Sequence, residues 1–264
     1  MSKVSENLRS FGHSLLFPET VRTNRCDGIL HLLAWIFMFI DHSGKMLYGN
    51  MEIMRILGRL AFPMFAYSIA AGAVFTHNSR KYLSRVILLA LISQPLNALG
   101  LAHENPAMYS VPFLENPLLS IYTFYINSWQ SPSILLSLSL ALGILIALRD
   151  RNYILAVGLY VLCERFGPVL DYGIHGIRLI LIFYFFLEHP PLMAIASAAY
   201  LLWWSWSTGK AYSFFGYTFS MEVFALPAVL FCALPLPRLF SMPRWLVYAF
   251  YPGHLLLLAI LVKM

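Results

Sequence analysis

The chain has 264 residues, 59% of them hydrophobic and 11% charged, with a formal net charge of +6. Soluble domains carry nearer a quarter of charged residues, so a soluble globular domain, a disordered chain and a coiled coil are excluded. The apolar runs, such as Val86–Ile92 and Leu138–Leu148, are continuous rather than alternating, which argues against a membrane β-barrel.

A spanning helix needs about 20 mainly apolar residues, which leaves room for roughly nine or ten spans and little else. The expected fold is therefore all-α and integral to the membrane, a polytopic bundle of transmembrane helices. Residues 1–27 are polar, carry Lys3, Arg9, Arg22 and Arg25, and read as a cytoplasmic N-terminal segment before a single membrane domain over 28–264. Spans are expected at 28–47, 58–76, 83–100, 132–148, 152–167, 174–188, 192–206, 219–236 and 245–262. Between 101 and 131, where Pro106, Pro112 and Pro117 interrupt the pattern, Leu118–Ile126 either dips into the bilayer or lies along it.

Positive charge falls in alternate loops, at Arg80, Lys81 and Arg85, at Arg149 and Arg151, and at Arg238 and Arg244. The 101–131 loop has neither Lys nor Arg. Lys and Arg mark cytoplasmic loops, so the N-terminus is expected inside and that loop outside. The same charges, read as topology determinants, remove the argument for nucleic-acid binding. Cys26, Cys163 and Cys232 are widely separated and lack metal or redox spacing, so no metal site is expected.

Ionisable groups within spans are costly and mark candidate sites. In the first span His31, Trp35, Met38, His42 and Lys45 recur at helical spacing on one face, with Asp41 beside them. An interfacial cap made by Asp41 and Lys45 would explain the outer end of that face without chemistry. The second span opens Gly58-Arg59 and carries Pro63, which invites a kink near the charge. A snorkelling Arg59 and an ordinary membrane proline are the plainer alternatives. The sixth opens Asp171-Tyr172-Gly173 with His175 and Arg178, where an Asp cap would account for much of the pattern. The last carries Tyr251-Pro252-Gly253-His254, read as a Pro-Gly break that turns His254 away from lipid. Gln94, Asn97, Glu164 and Glu222 read as interhelical hydrogen-bonding groups.

Three segments together resemble the TraX family of membrane proteins: Ala34-x-x-x-Met38-x-x-Asp41-His42, Gly58-Arg59-x-Ala61-Phe62-Pro63-x-Phe65 and Phe250-Tyr251-x-x-His254-Leu255. Tyr82-Leu-x-Arg85 and Asp171-Tyr172-Gly173-x-x-Gly176 add to the likeness. That family includes the enzyme that acetylates the N-terminus of F-type pilin, and it is similar to the wider acyltransferase-3 type. In that type a basic residue, ten intervening residues and a His form the first-helix motif. His31 and His42 have that spacing, with His where Lys or Arg is usual.

The resemblance implies acetyl transfer from acetyl-CoA, without a metal, to an amine such as a pilin N-terminus, at the bacterial inner membrane. It implies His42, Asp41, His254 and Tyr251 as catalytic residues, and Arg59, His31, Phe62 and Asp171 as acyl-donor contacts. Imidazole suits the base, and a fixed cation suits the developing oxyanion. A proton-coupled carrier and a non-catalytic pilus-assembly protein would use similar intramembrane groups.

Overall fold

The computed structural model describes residues 28–101, 106–208, 211–214, 216–234, 240 and 242–263, so the cytoplasmic segment expected over 1–27 lies outside the described residues. In apolar surroundings a segment must pair its backbone N–H and C=O groups internally, and the apolar runs accordingly form helices. They are α1 (Ile29–Met46), α2 (Glu52–Gly58), α3 (Ala61–Phe75), α4 (Ser79–Leu101), α5 (Pro117–Ser128), α6 (Ile134–Arg149), α7 (Tyr153–Phe166), α8 (Gly173–Phe185), α9 (Pro190–Thr208), α10 (Leu226–Ala233) and α11 (Arg244–Lys263). A short antiparallel hairpin, β1 (Tyr212–Phe214) and β2 (Tyr217–Phe219), follows α9.

Three expectations need correction. The second span begins earlier, at Glu52, and divides into α2 and α3 at Arg59–Leu60. Pro63 causes the division one turn upstream of itself: it offers no N–H to the carbonyl of residue 59 and clashes with it. The span expected over 219–236 is a 3₁₀ turn (Met221–Ala225) followed by the eight-residue α10, with 235–239 outside the described residues. The last helix is not broken: α11 runs through Pro252. The proline withholds one N–H, from the carbonyl of Tyr248 four residues earlier, and the helix continues past it; nearby the His254 ring donates Nδ1–H to the Phe250 carbonyl at 2.9 Å.

Among the described residues three segments, Glu52–Phe75 counted through its break, Ser79–Leu101 and Trp245–Val262, are long and apolar enough to cross a membrane. Several other helices are shorter than a full crossing. At 13 residues α8 spans roughly 20 Å, against about 30 Å of bilayer hydrocarbon. Its Ile177, Leu179, Ile180 and Phe183 are fully enclosed, so α8 meets protein on that face instead of lipid.

α3 is the hub and packs on α1, α6, α8 and α10. Its Ala66, Ala70, Ala71 and Ala73 are fully buried, and such small residues let helix backbones approach closely. Arg149, at the end of α6, donates to the Ala73 and Thr76 carbonyls at 2.9 and 2.8 Å, satisfying orphan acceptors at the end of α3. Beside this apolar core several polar groups are enclosed and many large apolar side chains are left outside. Asp41, His42, Gln94, Asn97 and His254 are buried, while Leu118, Ile154, Val157 and Val161 are exposed.

Candidate functional site

Two sequence-distant helices supply the centre of the site. α1 and α11 pack together, with Trp35 stacked on Phe250 at 4.5 Å. Toward the far ends of the two helices, His42 Nδ1 lies 2.7 Å from His254 Nε2, and both residues are buried. The roles of the ring nitrogens follow from the next bond along. The Phe250 carbonyl can only accept, so His254 Nδ1 carries the hydrogen. With both rings neutral, His254 Nε2 is then an acceptor and His42 Nδ1–H donates to it. The lone pair of His42 is left on Nε2. Tyr251 stands edge-on to both imidazoles, with ring centroids 6.5 and 5.5 Å away, and donates its hydroxyl to Asn97 Oδ1 at 3.3 Å.

Asp41, although adjacent to His42 in sequence, faces another way. It accepts from Arg55 Nη1 at 2.6 Å and from Arg59 Nη2 at 3.2 Å. Arg59 Nη1 also lies 3.7 Å from Glu222 Oε1. The α2–α3 break permits this by placing Arg59 between two short helices. Gly58 permits it too: a Cβ there would fall 2.1 Å from Asp41 Oδ1. The Arg59 guanidinium caps the Tyr172 ring at 5.6 Å, and Tyr172 stacks on the buried Phe62 at 4.0 Å. Phe62 is thus a wall beneath the cation.

Tyr172 takes a left-handed backbone, φ 57°, just before Gly173 at φ 56°. A bulky residue in that region stores strain of order 1–3 kcal/mol, held here by the stack. Asp171 accepts from the Tyr172 N–H at 3.1 Å and does not cap α8, contrary to expectation; α8 has Tyr172 at its N-cap position without a side-chain bond. Asp171 keeps an accessible surface, yet incomplete hydration raises its carboxyl above the usual range, against the opposing pull of Arg59 and Lys45.

The expected residues therefore form two groups. His42, His254 and Tyr251 meet, and Asp41, Arg59, Phe62 and Asp171 form a charged framework beside them. His31 belongs to neither group: it lies 11 residues before His42 on α1, a rise of about 16 Å. Arg55 and Glu222 are framework members that sequence reasoning left out or read as generic hydrogen-bonding groups. Asn97 was read the same way, and its carbonyl holds Tyr251. The signal for Arg55 was its place one helical turn before Arg59. His175 lies apart, stacked on Trp204 at 5.1 Å, and Arg178 pairs with Glu164. Among the described residues there is no cluster of three or more His, Cys, Asp or Glu able to hold a metal.

The family model described as TraX protein matches residues 27–262. A probable fimbrial assembly protein of Dichelobacter nodosus, serogroup H1, is 29% identical over 79 residues, covering 28% of this chain and 32% of that protein. An uncharacterized protein of Rickettsia prowazekii (strain Madrid E) is 41% identical over 73 residues, covering 28% of this chain and 27% of the other. The chain thus spans about a third or less of the curated relatives it matches. No solved structure matches.

Proposed function

The chain belongs to the TraX family, and from that premise we propose that it is a membrane-embedded N-acyltransferase that moves an acetyl group from acetyl-CoA to an amine, foremost the N-terminus of a pilus subunit. The observation that carries this reading is the contact between His42 and His254 at 2.7 Å, which orients a neutral imidazole lone pair within a buried site. In the reaction the amine nitrogen attacks the thioester carbonyl, the C–S bond breaks, and the sulfur leaves as CoA thiolate. His42 Nε2 takes the proton lost by the nitrogen and returns it to the thiolate. While His42 is cationic, its Nδ1–H bond to His254 becomes charge-assisted and strengthens. Asp171, an accessible carboxylate, draws the amine toward the site.

The pilus acceptor is supported by the name of the Dichelobacter relative, a probable fimbrial assembly protein. That name equally fits a non-catalytic assembly role, and an assay separates the two. Purified protein given acetyl-CoA and a pilin N-terminal peptide is expected to yield N-acetylated peptide and free CoA thiol. Neither transfer nor hydrolysis of acetyl-CoA would leave the assembly role.

The membrane reading draws on the three long apolar segments and on the many large apolar side chains left exposed while several ionisable and amide groups are buried. We place the protein in the bacterial inner membrane as a bundle of nine to ten passes, with the N-terminus cytoplasmic. A single Cys introduced at Ser110 is expected to react with an impermeant maleimide from outside the cell. Labelling from the cytoplasmic side alone would reverse the orientation.

A further inference from the structure

A cleft of about 600 Å³ opens between α1, α3, α4, α6 and α11, at the end of α1 remote from Asp41 and Arg59. Its rim carries His77, Lys81 and Arg85, and no Asp or Glu is among its described lining residues. Lys81 and Arg85 are four residues apart on α4, where like charges repel each other at some cost to the helix. Such a pair is relieved by an anion lying between them. The rim also sits at the start of α4, where Asn78 Oδ1 accepts from the Lys81 N–H at 2.9 Å and the helix dipole is positive.

Below the rim the walls become apolar. The stacked Trp35 and Phe250 form one side, and Leu135 and Leu138 line another. From Lys81 to Leu89, both lining residues, α4 rises about 12 Å. Met38 and Tyr251 are lining residues that lead on to the histidine pair: Met38 lies one helical turn before His42, and the Tyr251 ring stands edge-on to both imidazoles. The cleft therefore asks for a ligand with negative charge at one end and a slender arm reaching inward.

We propose that this cleft seats a phosphate-bearing thioester, with its phosphates on Lys81, Arg85 and His77, its arm between Trp35 and Leu138, and its carbonyl delivered past Tyr251 to His42. The proposal rests on the acyl-transfer reading and moves the donor away from Arg59, Phe62 and Asp171, which are left to face the acceptor. In the orientation given above the rim is cytoplasmic, the side on which CoA is made. Donor and acceptor then approach the imidazole pair from opposite faces of the membrane.

An anionic phospholipid headgroup shares the phosphate chemistry, so the test separates the two sources. The full chain is reconstituted in nanodiscs of phosphatidylcholine, with and without phosphatidylglycerol, and binding of CoA and of 3′-dephospho-CoA is measured. The double variant Lys81→Gln/Arg85→Gln is expected to weaken CoA binding roughly ten- to hundredfold, the scale of a lost charge-assisted contact. It should also raise KM for acetyl-CoA with kcat unchanged, the mark of contacts kept equally in ground and transition states. The preference of the wild type for CoA over 3′-dephospho-CoA should shrink in the variant.

Unchanged CoA affinity in the double variant, with acetyl transfer still measurable in the wild type, overturns the cleft assignment and leaves the acyl-transfer reading standing. Retention of phosphatidylglycerol by the wild type and not by the variant, with CoA affinity equal in both, assigns the cleft to lipid and overturns the proposal. A wild type that neither binds CoA nor transfers acetyl groups overturns the acyl-transfer reading together with the proposal.

Discussion

His42→Ala is expected to lower acetyl transfer by roughly 10²–10⁴-fold, the usual loss when a positioned base is removed. The variant should still be extracted in monodisperse form, because the truncated side chain makes one side-chain hydrogen bond, to a partner ring that keeps its own bond to the Phe250 carbonyl. Acetylated product quantified by mass spectrometry, per mole of folded protein, provides the measurement. A His42→Ala rate above about a third of wild type would remove His42 as the base, since an essential base costs far more. His254 should behave differently. In the tautomer argument it accepts from His42 Nδ1 and never touches the reacting atoms, so it is a positioning residue. His254→Gln retains an acceptor and should keep more activity than His254→Ala. Equal, complete loss in both would mean that His254 handles protons itself.

Asp41→Ala is expected to be the most destabilising single change in the framework. The Asp41 side chain is 12% exposed and those of Arg59 and Arg55 are 11% and 19% exposed. Removing one partner of a buried ion pair typically costs 3–5 kcal/mol, because the remaining charge stays in poorly solvated surroundings. Glu222 at 3.7 Å is too distant to compensate fully for Arg59. Gly58→Ala should give the same phenotype by a different route, since its Cβ would strike the Asp41 carboxylate. Thermal melts of the detergent-solubilised variants, scanned at one rate, test both. A midpoint equal to wild type for Asp41→Ala would show that the network contributes nothing to the fold. A lowered midpoint for Asp41→Ala alone would mean that the backbone at Gly58 can yield.

Most helix positions were legible because continuous apolar runs separated by Pro, Gly and charge can bury their backbone only as helices. Residues 29–46, 134–149 and 153–166 form helices where the pattern placed them. The stretch at 219–236 misled because its apolar residues are divided between a 3₁₀ turn and the eight-residue α10, a division that hydropathy does not reveal in so short a run. Pro252 misled in the opposite direction. A proline withholds a single N–H, here from the Tyr248 carbonyl, and a helix enclosed by its neighbours in apolar surroundings can run on through that gap, as this one does.

By itself the amino-acid sequence determined the mainly helical character, the family, and which polar residues stand in apolar runs, since composition and local spacing carry that information. Tertiary structure alone decided their partners. Asp41 and His42 are neighbours in the chain, yet successive positions on a helix point about 100° apart, so one meets Arg55 and Arg59 while the other meets a histidine 212 residues away. The lining of the cleft was likewise beyond reading, because Trp35, Lys81, Leu138 and Phe250 come from four helices whose packing no local pattern specifies.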